Sequence, residues 1–273
     1  MGQNFFLTGC GSGMAQRLTT TLLARGDSVF ATDVNLEALN RAAEDRGWPK
    51  DRVRLAKLDV TSSAAWETVF AEAVAAFGHI DVTMNIAGLL MASWADASPL
   101  REIDAQIDVN LKGVIYGSRI SAQHMVPRGK GHIVNIASIA GIVPAPGLST
   151  YCATKYAVRA YSIAAAFELR PKGVYVTAVC PASIQTPMLD NQLHNDAAEM
   201  FYSGFRILTL DEIEDAILNR VLVKRPYEIH IPRWKSKLAR IVDRHPFIGP
   251  LMAPIYQRSG RKRQEARRKA GAS

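Results

Sequence analysis

A chain of 273 residues, 48% hydrophobic and 21% charged, can bury a full core, and its composition excludes a disordered or fibrous class. The net charge of +8 is unevenly placed: residues 233–273 hold twelve Lys/Arg against two Asp/Glu, so the body before them is slightly acidic and has no nucleic-acid character. Three cysteines, Cys10, Cys152 and Cys180, lack close ligand spacing or a CxxC pair, which predicts reduced thiols, no disulfide, no metal and a cytoplasmic setting.

The first predicted strand, Asn4–Thr8, ends in LTGC, which looks like a lipoprotein cleavage box. No basic segment precedes it, however, and the apolar run Phe5–Leu7 is too short for a signal core. Further short β-rich runs follow at Ser28–Asp33, Val53–Leu58, Val82–Ile86, His132–Ile136 and Val174–Cys180, with helical stretches between them. Asn35 and Ser62 suit helix N-caps, and Gly26, Gly47 and Gly78 stand where helices should stop. Runs such as HIVNI and VYVTAV are almost continuously apolar, as strands covered on both faces must be. The alternation predicts a doubly wound parallel α/β sheet with its ligand crevice at the strand C-terminal ends. After Pro187 it pauses for a candidate lid over 187–208, then resumes with a helix at Leu210–Val223 and a last strand at Glu228–Ile231. No stretch of 18 or more apolar residues occurs, so no transmembrane helix is expected.

At the mouth of the first helix stands TGCGSGMA, Thr8–Ala15. GxGxxG fails here because Met14 occupies its third glycine, whereas Gly9, Gly13 and Ala15 fit TGxxxGxG with alanine for the last glycine. Glycines let the backbone turn tightly and approach a pyrophosphate, whose charge the helix-start N–H groups favour, so Gly9, Ser12, Gly13 and Met14 are expected to line a nucleotide site. Asp33, twenty residues after Gly13 at the end of the second strand, suits a ribose 2′-hydroxyl and repels a 2′-phosphate, which predicts NAD over NADP. A strand-to-helix turn and a helix cap would explain each feature singly; their pairing favours the nucleotide.

Tyr151 and Lys155 lie four residues apart and share one helix face. A phenol titrates near pH ~10, and a neighbouring ammonium is expected to lower that value, making Tyr151 an acid/base. A bare YxxxK arises often by chance; here the context adds specificity. Thr8–Ala15, Asp59, NIAG at Asn85–Gly88, Asn110, Ser138, YCATK at Tyr151–Lys155 and PASIQT at Pro181–Thr186 follow one another over roughly residues 4–231.

This series resembles the short-chain dehydrogenase/reductase family. The resemblance implies a Rossmann-like NAD-binding catalytic domain over 1–232, followed by a basic amphipathic extension at 233–273. It implies that Ser138 positions the substrate oxygen, that Tyr151 exchanges the proton, that Lys155 also binds the nicotinamide ribose, and that Asn110 holds a water linking Lys155 to solvent. Asp59 and Val60 would border the adenine, Asn85, Ala87 and Gly88 would support the sheet beside it, and Pro181, Ile184 and Thr186 would meet the carboxamide and phosphate. Two departures are Ala182 in place of the family's glycine after Pro181, which puts the loop shape in question, and NIAG for NNAG. Family members associate through helices that here span about 103–125 and 151–170, implying a homodimer or homotetramer. The small residues Ala153, Ala157, Ala160 and Ala164 suit that contact and core packing equally.

Substrate contacts are expected around Ile142, Val143 and Leu148 and from the lid residues Met188, Leu189, Leu193, Met200, Phe201, Tyr202 and Phe205, though part of this set serves to pack the lid. Their apolar character suits a secondary alcohol or ketone on a steroid-, retinoid-, aromatic- or lipid-like body. In the tail, basic residues mix with Trp234, Leu238, Ile241, Phe247, Ile248, Leu251 and Met252. That mixture suits either peripheral contact with an anionic membrane or an amphipathic segment docked on the body before a solvated, disordered end. The main expectation is an NAD-dependent oxidoreductase; the alternatives are an NAD-binding redox sensor or scaffold without turnover, and an epimerase of the extended relatives, which would need a larger substrate domain.

Overall fold

Strands apolar on both faces need cover on both sides, and the computed structural model shows how the chain supplies it. The structure describes residues 2–203, 206–232, 245 and 247–271. Among these, seven parallel strands form one sheet in the order β3-β2-β1-β4-β5-β6-β7. They are β1 (Asn4–Thr8), β2 (Ser28–Asp33), β3 (Val53–Lys57), β4 (Val82–Asn85), β5 (Gly131–Ile136), β6 (Val174–Pro181) and β7 (Glu228–Ile231). The helices are α1 (Gly13–Ala24), α2 (Leu36–Asp45), α3 (Ser63–Phe77), α4 (Leu100–Ile107), α5 (Gly113–Met125) and α6 (Ser149–Leu169), followed by short α7 (Pro187–Asp190) and α8 (Glu199–Tyr202), and by α9 (Leu210–Ala216). This is the expected Rossmann-like, doubly wound α/β fold.

The two-residue period of β1 divides the core. Phe5 and Leu7 enter one layer with Leu18, Leu22, Met84 and Ile213, while Phe6 enters the other with Phe30, Trp66 and Phe70. Phe6 lies 5.2–5.6 Å, ring centre to ring centre, from those three aromatic neighbours. Local signals act as read: the Asn35 and Ser62 side chains accept from Ala38 N and Ala65 N, and Gly26, Gly47 and Gly78 take the positive φ that ends a helix.

β4 stops one residue short of the expected Ile86, because the Ile86 and Ala87 amides both turn to donate to the Thr8 hydroxyl at 3.0 Å. That crosslink joins the ends of β1 and β4, where the strand order reverses, and so opens the crevice. Between α4 and α5 the helix widens into a π-helical turn, Asp108–Lys112. The helix expected over Leu210–Val223 carries a second such turn, Ile217–Val221.

The largest departure is at the basic end. Ile248–Ala270 is a helix rather than a disordered end, and it packs on α8. Its inner arginines find carboxylates and carbonyls on the lid, which is why the charged run is ordered. Phe205, Trp234, Leu238 and Ile241 lie outside the described residues, as does the Ile248 side chain. Among the described residues no helix is long and apolar enough to cross a membrane.

Candidate active site

At the C-terminal ends of the central strands lies a cleft of about 380 Å³. Gly9, Ser12, Gly13, Met14, Asp33, Asp59, Val60, Ala87, Gly88, Ser138, Tyr151, Lys155, Pro181, Ile184 and Thr186 all line it, so one wall gathers residues from the length of the chain.

Its first half is built mainly from backbone. Gly9 at φ +79 passes Ala87 so closely that a Cβ would come within 3.1 Å of the Ala87 Cα, and Gly13 at φ +57 starts α1 facing Thr186. Ser12 stands at the helix N-cap without capping it, which leaves the first-turn N–H groups directed at the cleft. Asp33 Oδ2 accepts from Gly11 N and Oδ1 from Asn35 N, each at 2.9 Å, so the carboxylate is held at the cleft edge. Val60 is set by its carbonyl, which accepts from the Trp66 indole at 3.1 Å, and Asp59 by Thr61.

In the second half Ser138 follows β5 and caps a single turn, Ile139–Gly141, its hydroxyl accepting from Ala140 N at 3.1 Å. That turn rests on α6 with no room for a side chain: a Cβ on Gly141 would lie 2.6 Å from the Lys155 carbonyl oxygen. The contact brings the Ser138 hydroxyl to the Tyr151 phenol. Lys155 Nζ donates to the Ile136 carbonyl at 2.9 Å and sits 5.7 Å from the Tyr151 ring centre. Burial pushes the phenol up to about 12, with the Ser138 hydrogen bond opposing, and brings the Lys155 ammonium down to about 8. The expected lowering of the Tyr151 pKa by Lys155 is therefore not what the chain alone provides, because desolvation outweighs an ammonium committed to Ile136.

Other expectations need correction. Asn110 is fully buried and does not line the cleft; its side chain clamps Leu89, accepting from Leu89 N at 2.7 Å and donating to Leu89 O at 2.8 Å. The amide, which also reaches the Thr154 hydroxyl at 3.4 Å, thus positions the segment after Gly88, and its Oδ1 keeps a second lone pair. Asn85 does not line the cleft as a cofactor contact would; in the sheet-supporting place also read for it, on the α5 side of β4, it donates to Asn135 at 2.8 Å and Ser118 at 3.3 Å within a buried polar network. Ile142 and Leu148 are core residues, packed with Val158 and Cys180 and with Leu90 and Cys152 respectively, and neither they nor Val143 line the cleft. Tyr202 is buried and donates to the Leu189 carbonyl, and Leu193 and Met200 pack beside it, so all three support the lid. Ala182 fits without strain: it is buried, its amide donates to Ile231 O at 2.8 Å, and it lines the cleft. Missed lining residues include Ile86, Leu89, Leu90, Val109 and Ala137, whose apolar side chains carry no distinguishing signal in sequence.

The three cysteines are free and buried. Register does assemble a set that spacing concealed: Cys180 pairs with His230 across β6 and β7, and with Glu228 their ligand atoms lie within 4.8 Å of one another. The Arg159 guanidinium, paired with Glu228, supplies positive charge there and works against a cation.

A doubly wound sheet with a glycine turn and a carboxylate at one end of its crevice, and serine, tyrosine and lysine at the other, defines a nucleotide-dependent redox architecture. The model of the short chain dehydrogenase family matches residues 3–197, and the chain belongs to that family of oxidoreductases. Over 227 residues it is 36% identical to the 2-(R)-hydroxypropyl-CoM dehydrogenase of Xanthobacter autotrophicus, covering 80% of this chain and 90% of that one. Over 190 residues it is 34% identical to the 3-alpha-(or 20-beta)-hydroxysteroid dehydrogenase of Mycobacterium bovis, covering 70% and 72%. Among solved structures, levodione reductase superposes with a TM-score of 0.78 at 26% identity, covering 86% of this chain and 98% of that one.

Lys155 generates a stability prediction. Its folded value of about 8 lies below the ordinary 10.5, so the cost of a buried charge is complete below about 8 and is relieved between the two values, as the folded chain releases a proton the unfolded chain still holds. Lys155→Met is expected to stabilise the protein at neutral pH while abolishing turnover, with the stability advantage shrinking as pH rises past about 8. Urea midpoints of both proteins across that range check it.

Proposed function

We propose that the protein is an NAD-dependent dehydrogenase that interconverts a secondary alcohol and a ketone on a largely apolar substrate. The observation that carries this reading is the convergence of Ser138, Tyr151 and Lys155 on one end of a cleft whose other end holds the Asp33 carboxylate. A dinucleotide fits the residues present: Gly9 and Gly13 leave the backbone bare where a pyrophosphate needs close approach, and Asp33, anchored through Gly11 and Asn35, retains lone pairs for ribose hydroxyls and would repel a 2′-phosphate. Asp59 and Val60 would flank the base, and Pro181, Ile184 and Thr186 the nicotinamide end. When bound, the nicotinamide supplies or accepts the hydride.

The chain's own residues do the rest. Ser138 holds the substrate oxygen beside the phenol, and Tyr151 Oη gives that oxygen a proton in reduction or takes one in oxidation. Lys155 supplies a buried positive charge that favours the phenolate whenever the proton has left, and its Nζ would hold a ribose hydroxyl. Asn110 would link Lys155 to a water through the second lone pair of its Oδ1 or through main-chain atoms of the π-helical turn. Leu89, Leu90, Met188, Leu189 and Phe201 wall the space around Tyr151 and suit an apolar body. The secondary-alcohol chemistry in the names of the two sequence relatives supports the reaction class. A redox sensor without turnover would bind the dinucleotide through Lys155 yet have no use for the Ser138–Tyr151 pair.

A cytoplasmic homodimer or homotetramer belongs to the same reading. Ala153, Ala160 and Ala164 are exposed on α6 beside Phe167, which is 63% exposed, so this face is not core packing and supports an interface between copies. Peripheral contact with an anionic membrane is supported by the outer face of the C-terminal helix, where exposed Phe247, Leu251 and Ile255 continue into exposed Arg258 and Lys262.

With a panel of secondary alcohols, Tyr151→Phe is expected to lower kcat by at least ~100-fold, in line with the loss of an acid/base, without loss of dinucleotide binding. Undiminished turnover would remove Tyr151 from the reaction. Asp33→Ala should raise the ratio of NADP to NAD activity, and a wild-type enzyme that already prefers NADP contradicts the assignment of Asp33. Cosedimentation with phosphatidylserine vesicles tests the membrane contact: Leu251→Glu with Ile255→Glu should abolish pelleting, and equal pelleting of wild type and variant removes the proposal.

A further inference from the structure

The lid is built of short turns. Between α7 and α8 an irregular run ends in the 3-10 turn Asp196–Ala198; the Gln192 and Asn195 carbonyls accept from Asn195 N and Ala198 N at 3.1 Å and each keeps a second lone pair, with the Leu193 carbonyl beside them. The C-terminal helix meets them: Gln264 Nε2 donates to Gln192 O at 3.1 Å and to Asn195 O at 2.8 Å, and Arg268 Nε donates to Leu193 O at 2.7 Å. Gln264 is 1% exposed, so its amide has left water for these two bonds.

One turn earlier the helix grips α8. Arg261 Nε lies 2.6 Å from Glu199 Oε1, and Glu199 is 4% exposed, so the pair is desolvated on the carboxylate side. Gly260 allows this approach, since a Cβ there would overlap the Glu199 carbonyl oxygen. By contrast, the Arg268–Asp196 pair leaves its carboxylate largely in water and contributes little.

From α8 the contacts lead to the cleft. The Phe201 ring meets the Tyr151 ring edge to face at 5.6 Å, and the Phe201 carbonyl accepts from Ser183 at 2.7 Å. From the irregular segment, Gln192 and Asn195 reach the loop after β4, donating to Leu90 O at 3.0 Å and Ala92 O at 2.7 Å. Both apolar walls around the phenol are thus tied to the helix.

We propose that the C-terminal helix is the clasp of the substrate pocket: Gly260, Arg261 and Gln264 are positioning residues that hold Phe201 against Tyr151, and Phe201 selects the size of the apolar group bound beside the reacting oxygen. The pocket component rests on the dehydrogenase reading above; the clasp itself does not. The family match ends at residue 197, before α8 and the helix, so this device lies outside the matched region.

The test uses the full chain with Gly260→Ala, Arg261→Glu, Glu199→Arg and the Glu199→Arg/Arg261→Glu pair, with Lys262→Ala as a control on the outer face. Hydrogen exchange over 187–203 is read by mass spectrometry, and kcat and KM are measured separately for secondary alcohols of increasing size. Gly260→Ala raises helix propensity, so a general loss of helix cannot explain its effect. Each single change at 199, 260 or 261 is expected to speed exchange across 187–203 by about tenfold, the pair to restore most of the protection, and Lys262→Ala to leave it unchanged. KM for small alcohols should rise about tenfold and KM for bulky ones less, with a smaller change in kcat, since the Phe201 wall and not the proton step is disturbed. Phe201→Ala should shift the preference toward larger substrates with exchange unaltered. Unchanged exchange in Gly260→Ala and Arg261→Glu overturns the clasp, and faster exchange with unchanged KM overturns its link to the pocket. If the wild type turns over no alcohol with either dinucleotide, the dehydrogenase reading fails, while the exchange data still decide the clasp.

Discussion

The buried ammonium of Lys155 is the constraint around which the site is arranged. Removing such a group from water is among the most unfavourable steps a fold can take, and a methionine of similar length would pack there at no electrostatic cost. The chain compensates with one well-placed acceptor, the Ile136 carbonyl at the end of β5, while at the main chain of Lys155 Gly141 makes a backbone approach that only a glycine permits. The same approach sets the Ser138 turn on α6. Serine, tyrosine and lysine are therefore positioned by a single packing contact between a strand end and one helix, which explains how residues separated by up to seventeen positions act as a unit.

The two halves of the cleft are held by different forces. At the nucleotide end, main-chain atoms dominate: the Thr8 hydroxyl ties β1 to β4, Gly11 N anchors Asp33, and the sheet itself fixes both. Such an arrangement tolerates change in side chains while glycines and strand order persist. At the other end the walls are side chains on short helical turns, held by amide-to-carbonyl bonds and one partly buried ion pair. Rigidity for the cofactor and an adjustable enclosure for the substrate follow from that division.

What could be read from sequence was local, and what could not was register. Caps at Asn35 and Ser62, the glycine stops and the strand runs act within a few residues of themselves, so their patterns carry their meaning. Asn85 and Asn110 match family motifs, yet one turns to the helix layer because of its parity in β4 and the other clamps Leu89; neither fact is encoded near the residue. Ile142 and Leu148 are indistinguishable by type from Leu89 and Leu90, and only the docking of the Ser138 turn on α6 decides which pair faces the cleft. The Cys180, Glu228 and His230 grouping likewise exists only through the β6–β7 register.

The tail shows why net charge is a poor guide to partners. A surplus of cations in one segment invites an external anion as its explanation, yet on folding the inner arginines meet Glu199, Asp196 and lid carbonyls of the same chain, while Arg258, Lys262, Arg263 and Lys269 remain outward. A helix with 3.6 residues per turn presents two faces at once, so one basic sequence can serve an internal contact and a solvent-facing one together. Composition sums the two faces into one number; the fold separates them. The inner face couples the end of the chain to the ring that stands beside Tyr151, and a segment that reads as an appendage becomes part of the cleft's enclosure.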